Sequence, residues 1–116
     1  MKLYNRKTGG IGEQLALEYL LSKNYELITM NYSTKYGEID LIMKDRDILV
    51  FVEVKTKKGQ DWGTPEEMFT RGKYRRVRNM ATIFLQGRDV PCRIDMVAVD
   101  LSDTPAIRHY PNVTFL

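Results

Sequence analysis

The chain has 116 residues, 43% of them hydrophobic and 28% charged, enough for one modest core and too few for two, so residues 1–116 read as a single domain. It contains no run of about 18 apolar residues, and its basic start, Met1 to Lys7, leads into Thr8-Gly9-Gly10; the expectation is a cytoplasmic protein without membrane span or signal peptide. A single cysteine and a single histidine exclude an internal disulfide and a Cys/His zinc cluster, and the net charge of +3 is mild but unevenly distributed.

Ile11, Leu15, Ala16, Tyr19 and Leu20 recur at helical spacing, and Asn24 suits the left-handed residue that ends a helix, which predicts a first helix over residues 9–23. Glu13 would then sit on its first turn, where the helix dipole favours a carboxylate. Residues 25–32 and 36–43 predict two strands, and residues 47 or 48 to 56 a third. The near-continuous apolar run of the third suits a central strand covered on both faces. Trp62, in the polar loop 57–63, invites stacking on an unpaired base, although a lone loop tryptophan more often anchors its own loop.

Thr64-Pro65-Glu66-Glu67 has the form of a capping box and predicts a short helical segment ending near Phe69. Thr70 can cap a longer helix over residues 71–86, closed by Gly87, with Tyr74, Val77, Met80, Ala81, Phe84 and Leu85 as its core face. Arg71, Arg75 and Arg78 form a separate stripe at i, i+4, i+7. Cys92 to Asp100 predicts a fourth strand, with Cys92 as a small filler at its start and Asp95, Val97 and Val99 on one side. Asp95 is a further candidate acid whose simpler role is pairing with Arg93 or a neighbouring lysine. His109 is expected at the surface or half-buried, and residues 106–116 predict an edge strand or tail interrupted by Pro111.

Four charges interrupt these strands: Glu38 and Asp40 in the second, Glu53 and Lys55 in the third. Desolvating an unpaired charge costs several kcal/mol, so such intrusions need a partner or a ligand. Side chains at i and i+2 share a strand face, so each pair points one way, and a hairpin would bring three carboxylates and a lysine to one patch. Oxygen ligands of this kind suit Mg²⁺ or Mn²⁺, and a lysine beside the metal suits a water or phosphate oxygen. A structural ion-pair network is the alternative from spacing alone.

Asp40, followed after a turn by Glu53-Val54-Lys55, resembles the active-site pattern of the PD-(D/E)XK nuclease superfamily, with Ile39 in place of its proline. Gly12-Glu13-x-x-Ala16, Asn31, Gly37 to Ile42, Phe51 to Lys55, Lys73 and Arg93-Ile94-Asp95 extend the likeness over nearly the whole chain, which is similar to the bacterial YraN, or UPF0102, family. That resemblance implies an α/β, restriction-endonuclease-like core of order α-β-β-β-α-β, a mixed sheet flanked by helices, related by fold to archaeal Holliday junction resolvases. It also implies a Mg²⁺- or Mn²⁺-dependent endonuclease. Asp40, Glu53 and the carbonyl of Val54 would hold the metal, Lys55 would position water, and Glu13 and Glu38 would be outer or second-metal ligands.

Residues 55–78 hold eight basic residues against three acidic. Lys57, Lys58, Lys73, Arg75, Arg76 and Arg78 are accordingly candidate contacts to a DNA backbone. DNA, branched or not, is the expected partner, and two symmetric cuts would favour a homodimer. The competing readings are a non-catalytic nucleic-acid-binding module and a protein-interaction subunit in which the block only solubilises.

Overall fold

Strand β3 (Ile48–Lys58) is the axis of the fold because its two faces feed two different cores. Val50, Val52 and Val54 pack with Ala16, Leu17 and Leu20 of the first helix, whereas Phe51 packs with Tyr74, Val77, Met80 and Ala81 of the second. Each such side chain contributes about 1.5–3 kcal/mol on leaving water. The computed structural model describes residues 2–59 and 63–115, with residues 2–9 described by backbone alone; Trp62 lies outside the described residues.

The elements are α1 (Lys2–Ser22), β1 (Glu26–Thr34), β2 (Gly37–Asp45), β3, a 3₁₀ turn (Glu66–Met68), α2 (Arg71–Leu85), β4 (Cys92–Leu101) and β5 (Ala106–Tyr110). The five strands lie in sequence order, antiparallel except for β3 and β4, which run parallel. A parallel pair needs a crossover, and α2 supplies it on one face while α1 covers the other. This is the α/β arrangement expected of a restriction-endonuclease-like core. No helix among the described residues is long and apolar enough to cross a membrane.

Local signals account for the helix ends. Asn24 adopts φ 71° and Tyr25 N–H reaches back to the Leu20 carbonyl at 3.1 Å. Thr70 accepts the Lys73 N–H at 3.3 Å as the cap of α2, and Gln86 (φ 49°) precedes Gly87 in turning the chain left-handed. Two expectations need correction. Helix α1 begins at Lys2, not at residue 9. Glycine in Thr8-Gly9-Gly10 lowers helix propensity without forbidding the helix, and Glu13 therefore lies about three turns in, beyond the reach of the N-terminal dipole. Cys92 is exposed at the start of β4 and fills no core space.

Candidate active site

The β1–β2 ladder continues to Thr34↔Gly37, but the β2–β3 ladder ends at Leu41↔Val52. From there towards its start, β2 stays with β1 and leaves β3, opening a fork in the sheet. Asp40 enters that fork. Its Oδ2 accepts the Val54 N–H at 2.7 Å, replacing the main-chain acceptor that a continued ladder would supply. The N–H and C=O of a strand residue face the same neighbour, so the Val54 carbonyl also points into the opening.

Glu53 lies between Val52 and Val54 of the α1-side core, so alternation puts its side chain on the α2 face. It is 8% exposed, and Lys55 Nζ lies 3.0 Å from its Oε2. The alternation of β2 breaks at Asp40: Ile39 before it packs in the α2-side core and Leu41 after it in the α1-side core. At this break the fork brings acids of different elements together. Asp40 comes within hydrogen-bonding reach of Glu53 and also of Glu13 on α1.

This crowding sets the protonation states. Burial, followed by the adjoining Glu53 carboxylate, pushes the Asp40 carboxyl up to about 9 against the lone opposing N–H of Val54. Burial and the charges of Glu38 and Glu53 also raise Glu13, while hydrogen bonds to Asp40 and Asn31 act the other way. Burial opposes the charge on Lys55, yet Glu53 holds its pKa above the ordinary lysine value. Lys73, reaching over from α2, is lowered by its hydrogen bond to Lys55, then by burial and the Lys55 charge.

Three residues contribute more than their spacing disclosed. Gly12 lets α1 lie flat on β3: a Cβ there would fall 1.8 Å from Thr56 Oγ1. That hydroxyl oxygen is buried and has no hydrogen-bond partner, so the helix backbone is its wall, and the close approach carries Glu13 to the fork. Asn31 occupies the register position opposite Asp40 with φ 52° inside β1, a conformation that few residues besides Gly, Asn and Asp accept, and lies within hydrogen-bonding reach of Glu13. Lys73, a candidate backbone contact by sequence, belongs to the site itself.

The other candidates are dispersed. Glu38 is exposed at the rim, where Ser33 Oγ donates to it at 3.1 Å. Lys57 is half-buried and Lys58 exposed near the end of β3. The α2 cations divide: Lys73 and Arg76 share an edge with Met80, which touches Thr34 and Gly37 beside the fork. Arg78 instead lines a cleft on the opposite edge with Tyr74, Leu85 and Thr114, and Arg75 is exposed between the edges. Asp95 is engaged elsewhere, by Arg93 Nε at 2.9 Å, the Asn112 N–H at 2.9 Å and His109 Nε2 at 2.7 Å. His109 is half-buried, edge-on to Tyr19 and Tyr25.

Among the described residues no three Asp, Glu, His or Cys side chains come together closely enough to enclose a metal ion by themselves. Magnesium does not require that, since one or two carboxylates completed by water and phosphate oxygens suffice. Asp40 and Glu53, with the Val54 carbonyl turned to the same gap, form an oxygen-only donor set whose mutual repulsion a divalent cation would relieve. These residues fit such an ion.

The model of the uncharacterised protein family UPF0102 matches residues 12–99. This chain belongs to the UPF0102 family. A UPF0102 protein of Symbiobacterium thermophilum is 43% identical over 99 residues, covering 83% of this chain and 84% of that protein. One from Dehalococcoides mccartyi is 44% identical over 103 residues, 85% of each, and one from Alkaliphilus oremlandii is 39% identical over 114 residues, covering 93% of this chain and 97% of its own. The matched segment begins at Gly12, the residue that seats α1 on β3, and runs to the end of the β3–β4 core.

Proposed function

We propose that this UPF0102 chain is a divalent-metal-dependent endonuclease that hydrolyses DNA phosphodiesters in the cytoplasm. The observation that carries the reading is the fork, where two carboxylates press together without enough donors to satisfy them, beside two lysine amines. Asp40, Glu53 and the Val54 carbonyl would hold Mg²⁺ or Mn²⁺, and Glu13, kept close by Gly12 and Asn31, would supply an outer ligand. When bound, the metal polarises the phosphate and lowers the pKa of its water.

The rest falls to the chain's own groups. Lys55, held charged by Glu53 at 3.0 Å, is placed to donate to the attacking water or to a non-bridging phosphate oxygen. Lys73 adds a second amine on the α2 side, so the approaching phosphate meets two cations there beside Glu53, while Glu13 approaches from α1. This asymmetry orients the phosphate without reading sequence. Arg76 extends the cationic edge, while Arg75 and Arg78, turned away from the fork, would hold more distant phosphates.

A nucleic-acid-binding module without catalysis remains the second reading, because the same cations serve both. Incubation with labelled junction, flap, gapped and linear DNAs in Mg²⁺ or Mn²⁺, beside Glu53→Ala and Lys55→Ala, separates them. The nuclease reading expects one structured DNA to be nicked, both variants to lose most cleavage, and Lys55→Ala to keep metal binding. A wild type that binds DNA and cuts none of the panel gives the lead to the binding module.

A further inference from the structure

One prominent side chain takes no part in the fork. Tyr36, at the tip of the β1–β2 hairpin, is 68% exposed, well beyond Ile11 at 47%, the next most exposed large apolar residue among those described. The tip that carries it is nonetheless tied down. Tyr36 N–H donates to Thr34 Oγ1 at 3.0 Å, the Thr34 hydroxyl lies 3.4 Å from Met80 Sδ, and Gly37 sits so near Met80 that a Cβ there would be 3.5 Å from its Cγ. The hairpin end is thus fastened to the edge of α2 that carries Lys73 and Arg76.

The ring meets a cation. Lys35 Nζ lies 5.2 Å from its centroid, so an ammonium covers one face and the other is left for a planar ligand. Tyr36 lies in the turn just before β2 and four residues before Asp40, at most about 14 Å away along the chain, a span of a few nucleotides. An anchored aromatic ring beside Lys35, on a hairpin tip fastened to the helix that carries Lys73 and Arg76, has the parts of a single-strand platform: cations for the backbone and a π-face for a base.

We propose that Tyr36 stacks on an unpaired base close to the scissile phosphate and so directs the site to DNA with a single-stranded segment, such as a flap, gap or open junction. The inference rests on the nucleic-acid reading above and narrows it, because a base inside a duplex has no open face to offer.

Its test uses the full chain without divalent cation, so that nothing is cut. Binding is measured to a single-stranded oligodeoxynucleotide carrying 2-aminopurine at successive positions, and to the blunt duplex of the same sequence. Tyr36→Leu should weaken single-strand binding about fivefold or more and leave duplex binding unchanged. Wild type should quench 2-aminopurine most strongly at one position, with that quenching lost in Tyr36→Leu and kept in Tyr36→Trp. Thermal stability should not change, since the ring buries little. Equal loss on both DNAs, or none on the single strand, overturns stacking while leaving the nuclease reading intact. A wild type that binds neither DNA overturns both.

Discussion

Two acids set into strand interiors, the fully buried Asp95 and the half-buried Asp40, are treated in opposite ways. Asp95 is fully buried, but an arginine, an imidazole and a backbone N–H converge on it, and His109, Arg93 and Asn112 together hold its pKa below the ordinary aspartate value although burial pushes the other way. Asp40 has one N–H and two neighbouring acids, and its pKa rises. Burying an unpaired carboxylate costs several kcal/mol, as much as two core side chains return. A fold can bear that cost where the binding of a cation offsets it. Burial of an acid therefore does not by itself set the fork apart; the shortage of donors around Asp40 does.

The comparison breaks first at Asp95. Asp95→Asn leaves Arg93, itself joined to Asp45 and Tyr25, without its main counter-charge, and should cost about 3–5 kcal/mol in urea unfolding. Asp40→Asn should not destabilise the metal-free protein at neutral pH. If the two variants lose equal stability, the acids are equivalent and the contrast fails.

Metal addition sharpens it. Mn²⁺ at a hundredfold excess over its dissociation constant should stabilise the wild type by about 2.7 kcal/mol, read as a shift in thermal melting. Asp40→Asn should lose that response. An equal shift in both proteins would remove Asp40 from the ligand set.

The pH dependence should then carry opposite signs. Asp40 has its pKa raised from 3.8 to about 9, so the stability it contributes to the metal-free protein is present below pH 3.8 and lost as pH rises towards 9. The slope is at most about 1.4 kcal/mol per pH unit, and Asp40→Asn should flatten it. Asp95, with a lowered pKa, contributes stability that is present above 3.8 and lost as pH falls through its folded value. Urea titrations across pH in both variants check the two signs. The smallest effect is expected at Asn31: Asn31→Ala should cost about 1–2 kcal/mol through left-handed strain, and Asn31→Gly should recover most of it while still weakening Mn²⁺ binding. Full recovery of metal binding in Asn31→Gly would show that only the backbone conformation matters.

Much of the fold could be read along the chain. Thr70, Asn24 and the apolar stripes of both helices are local signals, since capping and periodicity depend on neighbours within a turn or two. The intrusion of Asp40, Glu53 and Lys55 into apolar strands was likewise visible, because side-chain direction alternates residue by residue and a charge on a core strand stands out. The family resemblance carried Glu13 to the same place, where the helix-dipole argument from an assumed start at residue 9 would have left it on the wrong turn.

What the chain by itself determined was which residues are unusual: the charges in β2 and β3, the basic block, and the glycine that precedes Glu13. Only the tertiary structure decided which of them meet. The separation of β2 from β3 beyond Leu41 drops Asp40 against Val54 and Glu53, and the rotation of α2 against the sheet gives Lys73 and Arg76 to the site and Arg78 to another cleft. Likewise, Asp95 is satisfied by His109 and Asn112, which arrive from β5 and the segment after it. Ladder ends, helix rotation and partners distant in sequence are set by long-range packing of the whole core, which local spacing does not encode.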